Sequence, residues 1–119
     1  MGDGMRVVKV AGAAACVGLL AGCAPTLNET TFAATREGLI GSPALRQQYV
    51  ATCEKKIRQD PNKLQESATL VSLSVADAPG VICQRFLKAA IDGRFNYAQY
   101  LEAKKGNATP EMVRIAQGR

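Results

Sequence analysis

Four of the five prolines stand one or two residues behind a side chain able to cap a helix: Ser42-Pro43, Asp60-Pro61, Asp77-Ala78-Pro79 and Thr109-Pro110. A Ser, Thr or Asp oxygen accepts from the orphan N–H groups of a first helical turn. Proline suits that turn because its φ is already helical and its missing N–H has no partner to lose. A chain punctuated this way is divided into short helices. The expected fold class is all-α, a small bundle of short helices.

The apolar spacing agrees. Behind Ser42-Pro43, Leu45, Tyr49, Cys53 and Ile57 recur every four residues, while Arg46, Gln47, Glu54, Lys55 and Arg58 lie on the other side; this is an amphipathic helix of about four turns. Behind Asp60-Pro61, Leu64, Ala68, Val71 and Val75 give a second inward face. The run Val71-Ser72-Leu73-Ser74-Val75 also alternates as a strand would, but the chain offers it no second strand to pair with, and helix is the preferred reading. After Asp77-Ala78-Pro79-Gly80, the residues Cys83, Phe86, Leu87, Ala90 and Ile91 follow the i, i+3, i+4, i+7, i+8 pattern, and Gly93 is placed to end that helix. Asn96 is expected to cap a further helix, with Gln99 reaching back to it and Phe95 packing on Tyr100. That helix ends near Gly106, and Thr109-Pro110-Glu111 opens a last segment carrying Met112, Val113 and Ile115, expected to dock loosely.

The N-terminus reads differently. Arg6 and Lys9 precede an apolar run from Val10 to Leu20, the layout of a secretory signal. The run is about 11 residues long, whereas a bilayer-crossing helix needs roughly 20. Met5 opens a cleaner positive region than Met1, which is followed by Asp3, and Met5 is the expected start. Leu20-Ala21-Gly22-Cys23 at the end of the run resembles the lipobox of bacterial lipoproteins. The resemblance implies cleavage between Gly22 and Cys23 and a lipid on the Cys23 thiol. Ala24, rather than Asp, follows the cysteine, which points to the outer membrane in a two-membrane envelope. The alternatives are an ordinary secretory signal with an incidental Cys23, or an uncut N-terminal anchor. The expected organisation is a signal peptide over 1–22, a lipidated N-terminus and flexible tether over 23–41, in which Thr31 to Leu39 could coil into a short helix before Gly38 and Gly41 interrupt it, and a helical domain over 42–119.

Under that reading the mature chain has fewer than 100 residues, a size at which one core is only marginally sufficient. Cys16 leaves with the signal and Cys23 takes the lipid, so Cys53 and Cys83 remain, and in an oxidising compartment the pair reads as one structural disulfide. Two unpaired buried thiols are the alternative. With no histidine in the chain, two cysteines cannot complete a zinc shell; neither metal nor cofactor is expected.

Few residues speak of chemistry. Losing Arg6, Lys9 and Asp3 takes the formal charge only from +5 to +4. The densest positive cluster, Lys55, Lys56, Arg58 and Lys63, is a candidate contact for an anionic partner, set against an ordinary solvated helix face. Ile82 to Lys105, with Arg85, Lys88, Arg94, Lys104 and Lys105, mimics a helix-turn-helix, but export argues against nucleic acid as a partner. Glu54, Asp60, Glu66, Asp77, Asp92 and Glu102 read as helix caps and charge balance rather than a catalytic pair, and no enzyme activity is expected. Asn107-Ala108-Thr109 has the form of a eukaryotic glycosylation site, which loses its meaning behind a bacterial lipid signal. The plan of the mature part is similar to that of small periplasmic acid-stress chaperones, an analogy carried by no motif. The expected function is a non-catalytic interaction protein held to the envelope membrane through Cys23 and facing the periplasm, with an envelope protein as partner. A chaperone-like or stress-responsive binder is the alternative.

Overall fold

The computed structural model describes residues 27–119. The signal sequence and the Leu20–Cys23 motif, with the cleavage and lipidation positions, lie outside the described residues. Among these residues six helices follow in order: α1 (Glu29–Gly41), α2 (Pro43–Gln59), α3 (Pro61–Val71), α4 (Ala78–Asp92), α5 (Tyr97–Lys104) and α6 (Pro110–Ala116). Among the described residues there is no strand. The fold is all-α and holds one disulfide, Cys53–Cys83.

The capping logic operates at most of the expected places. Ser42 accepts from the Leu45 N–H, Asp60 from those of Asn62 and Lys63, Asn96 from Gln99 and Thr109 from Met112. Asp60 closes α2 through its own N–H and opens α3 through its carboxylate, so a single residue makes the corner. Asp77 makes no side-chain cap; Ser74 accepts from the Asp77 N–H instead. Gly93, at φ 83°, ends α4 in the left-handed conformation that favours glycine.

α4 is the centre of the molecule, packed against α1, α2, α3 and α6. Its Cys83, Leu87 and Ala90 join Leu39 of α1 and Val50 of α2 in the buried core, and Leu45, Tyr49, Cys53, Ile57 and Ile91 pack on that cluster. The expected inward stripes of α2 and α4 are therefore the ones that meet. A second stripe of α4, Ile82 and Ala89, is buried as well, so this helix is covered on two sides.

Three expectations are corrected. The segment 23–41 is not a tether over its second half. Residues 29–41 form α1, opened by a reciprocal cap in which Asn28 Oδ1 accepts from the Thr31 N–H and Thr31 Oγ1 from the Asn28 N–H, each at 2.8 Å. Leu39 in α1 is 2 % exposed. Gly38 does not interrupt this helix but admits its neighbour: a Cβ there would stand 2.8 Å from Leu45 Cδ2. The second correction concerns α3, which ends at Val71. Ser72 turns left-handed at φ 56°, and 72–77 are irregular, neither helix nor strand, with Leu73 and Val75 exposed. Serine and β-branched residues hold a helix weakly, and here no buried contact sustains another turn. The third is α6, which docks firmly: Met112, Ile115 and Ala116 are all buried.

Candidate apolar groove and its rim

Leu39, Leu45 and Ile57 from α1 and α2, and Phe86 and Ala90 from α4, form the floor of a groove with a volume of about 550 Å³. Its far wall is aromatic, and the arrangement of that wall differs from expectation. Phe95 does not staple onto Tyr100; it meets Phe86 edge-on at 5.4 Å, and Phe32 of α1 lies between the others, 6.5 Å from Phe95, 5.7 Å from Tyr97 and 5.5 Å from Tyr100. Edge and tilted contacts at these separations suit the ring quadrupoles and hold the wall in one shape. Gln99 does not reach back to Asn96; its side-chain oxygen accepts from the Thr109 hydroxyl, tying α5 to the start of α6. Tyr49, half-buried, also lines the groove, and burial pushes its phenol above the usual range.

One rim of the groove is polar. Gln48, Thr52 and Lys56 follow one another at intervals of four along α2 and all reach the lining, with Thr35 and Arg36 of α1 also present. Among the described residues of the lining none is an Asp or Glu. On those residues the groove is apolar inside and cationic at its edge.

Of the positive cluster Lys55, Lys56, Arg58 and Lys63, the structure brings only Lys56 to this groove. Arg58 is turned away, donating to the Ala76 carbonyl at 3.0 Å and pairing with Glu54 at 3.4 Å, while Lys55 and Lys63 are exposed elsewhere. The same use of arginine recurs through the molecule. Arg36 donates to the Ala90 and Ile91 carbonyls at the end of α4, Arg46 to Leu39 and Ile40 at the end of α1, and Arg85 to Ala116 at the end of α6. A guanidinium placed on the last carbonyls of a helix satisfies orphan acceptors and opposes the negative end of the dipole. Much of the basic character is therefore internal closure rather than free surface charge. The residues that imitate a DNA reader are similarly engaged: Lys88 pairs with Asp92 at 2.8 Å, Arg94 with Glu111 at 2.7 Å and Lys105 with Glu102 at 3.3 Å. Lys104 lies 5.8 Å from the centre of the Tyr100 ring.

The chain matches no known protein family, and no curated protein or solved structure is significantly similar to it. The groove's chemistry must therefore be read from its own residues. Cys53 and Cys83 are joined, with their Cα atoms 5.8 Å apart, so neither offers a thiolate. Among the described residues no three His, Cys, Asp or Glu side chains are grouped as a metal site would need, and none of their helices is long and apolar enough to cross a membrane. Of the carboxylates, Asp60 caps a helix, Glu54, Asp92 and Glu102 pair with cations, and Asn107 donates to Glu102 at 3.0 Å. Sequence reasoning missed the groove because its fourth wall is α1. The available signal was Phe32, the one aromatic residue before position 49, in a segment otherwise rich in Thr and Ala.

Proposed function

We propose that this protein is a lipid-anchored, non-catalytic binding protein of the bacterial cell envelope. Cys23 carries the lipid after cleavage behind Gly22, and the helical domain faces the periplasm, at the outer membrane where the envelope has two. The observation that carries this reading is Leu20-Ala21-Gly22-Cys23 standing directly behind a positive start and a short apolar run. The groove adds support. Leu27 belongs to its lining, and four residues of extended chain span at most about 14 Å, so the binding surface would lie next to the anchor. One acyl chain alone holds a protein only marginally at a bilayer; two or more make the attachment stable. Labelled palmitate is expected to enter the polypeptide, and Cys23→Ser is expected to abolish both incorporation and processing. Unchanged processing of that variant, with no label in the parent chain, would remove the anchor from the account.

The acid-stress reading has one structural feature in its favour. Glu111 accepts from Arg94 and Arg114, and Arg94 also donates to the Arg119 carbonyl, so this clasp fastens α6 over its buried Met112 and Ile115. Hydrogen bonds from Arg94 above all hold the Glu111 carboxyl below the ordinary carboxylate range; those from Asn107 and Lys105 do the same for Glu102. A carboxyl depressed in the folded state contributes stability above its unfolded pKa and loses it as pH falls through the folded value. The clasp should therefore hold through mild acid and release only below the usual carboxylate range. In an NMR titration, Glu111 and Glu102 should protonate only below the ordinary glutamate range on acidification, with faster amide exchange in α6 following Glu111. If α6 loosens at the ordinary carboxylate pKa or above, the clasp is not the acid-sensitive point.

A further inference from the structure

The groove stands on the described residues alone, and what it would bind goes beyond the anchored-protein reading. We infer that it is a binding site for one long-chain fatty acid, the hydrocarbon tail lying along Leu39, Ile57 and Phe86 and the carboxylate meeting Lys56 and Thr52 at the rim.

Three features of the lining lead to this occupant. The first is capacity. Apolar cavities of about 150 Å³ take a benzene ring, so the 550 Å³ here is room for roughly twenty carbons, one long chain and not the two of a diacyl lipid. It also falls within the roughly 300–1,000 Å³ common for small-molecule sites. The second is polarity. The floor and aromatic wall are hydrocarbon, and each methylene they cover is removed from water, so a tail is favoured over a polar ligand. The third is charge. Arg36 is already engaged with the α4 carbonyls and with Glu37 at 3.7 Å, which leaves Lys56, exposed and paired with no carboxylate among the described residues. With no acid among the described residues of the lining to repel it, an anionic head group is attracted to that end. Thr52, one turn earlier on the same stripe, adds a hydroxyl donor. A neutral apolar ligand would make no use of Lys56, and an acidic peptide would make no use of the aromatic wall.

The test uses residues 23–119 carrying Cys23→Ser, the mature form under the anchored-protein reading, so that neither a covalently attached acyl group nor the apolar signal run, which that variant would retain, competes. Titration with cis-parinaric acid, a fluorescent C18 fatty acid, should show saturable one-to-one binding. Palmitate should displace the probe, and hexadecanol, with the same tail and no charge, should do so at least tenfold less well. Lys56→Glu should weaken binding by a similar factor, whereas Lys63→Glu, which makes the same charge change away from the groove, should leave it unaltered. Ala103→Trp, at an exposed lining position where a large side chain can be accommodated without disturbing the core, should block the groove and abolish binding while leaving the thermal midpoint in place. Absence of saturable binding, equal displacement by hexadecanol, equal loss in Lys63→Glu, or binding retained by Ala103→Trp would each overturn the inference. So would a protein that is a dimer with this groove closed by a second copy, detected by sedimentation of the same variants. Failure here leaves lipidation of Cys23 untouched, since palmitate incorporation is measured separately.

Discussion

Removing the disulfide, as Cys53→Ala/Cys83→Ala, should lower the unfolding free energy of the domain by about 3–4 kcal/mol. The cross-link closes a loop with a sequence separation of 30, and the chain-entropy relation assigns a loop of that length about this much restriction of the unfolded chain. In a domain this small, the same change should lower the thermal midpoint by roughly 15–25 °C. The effect is large because α2 and α4 are the two helices whose inward stripes form the main contact, and Cys83, fully buried, sits at its centre. Equilibrium urea unfolding, followed by circular dichroism with and without reductant, measures it; a loss under about 1 kcal/mol would show that packing alone holds the pair of helices. The denaturant slope should rise slightly, since an unlinked chain exposes more surface when it unfolds.

Leu39→Ala should cost about 3 kcal/mol, the second-largest effect expected, and it separates a docked α1 from a tether. Leu39 is 2 % exposed inside the central cluster, whereas its neighbour Ile40 is 45 % exposed. Truncating a buried leucine forfeits its transfer free energy and leaves a cavity, about 2–5 kcal/mol in all, while an exposed side chain away from special features changes stability by about 0.5 kcal/mol or less. Ile40→Ala is therefore the paired control. Were α1 loosely attached, the two variants would be alike in the urea titration and amide exchange in α1 would be fast in the parent protein. A docked α1 gives a wide gap between the variants and protection comparable to that of α2.

What the local sequence announced well were the beginnings of helices and the two stripes that carry the cysteines. Capping oxygens, proline and a period of 3.6 act over one or two turns, and those signals are complete within a few residues of chain. Less legible were the ends and the attachments. The stretch 71–75 satisfied both helix and strand patterns, yet beyond Val71 it adopted neither, because no neighbour covers Leu73 or Val75. α6 looked like a loose tail at seven residues, yet three of its side chains are buried and Arg85 and Arg94 hold its end. Arg58 read as part of a free cationic cluster, although it donates to the Ala76 carbonyl, and nothing local singled out Arg36, which donates to the Ile91 carbonyl in a distant part of the chain.

The groove marks the same boundary. From sequence alone follow the division into short helices, the pairing of the stripes that carry Cys53 and Cys83, and a basic chain without histidine. Only the tertiary structure decided that α1 belongs to the core, that Phe32 completes an aromatic wall with Phe86, Phe95 and Tyr100, and that Lys56 alone of its cluster stands at the mouth. The physical reason is range. A cap or a stripe is settled by neighbours three or four residues away, whereas a cavity is the space left between helices, and its shape depends on contacts such as Arg36 with Ile91, 55 residues apart.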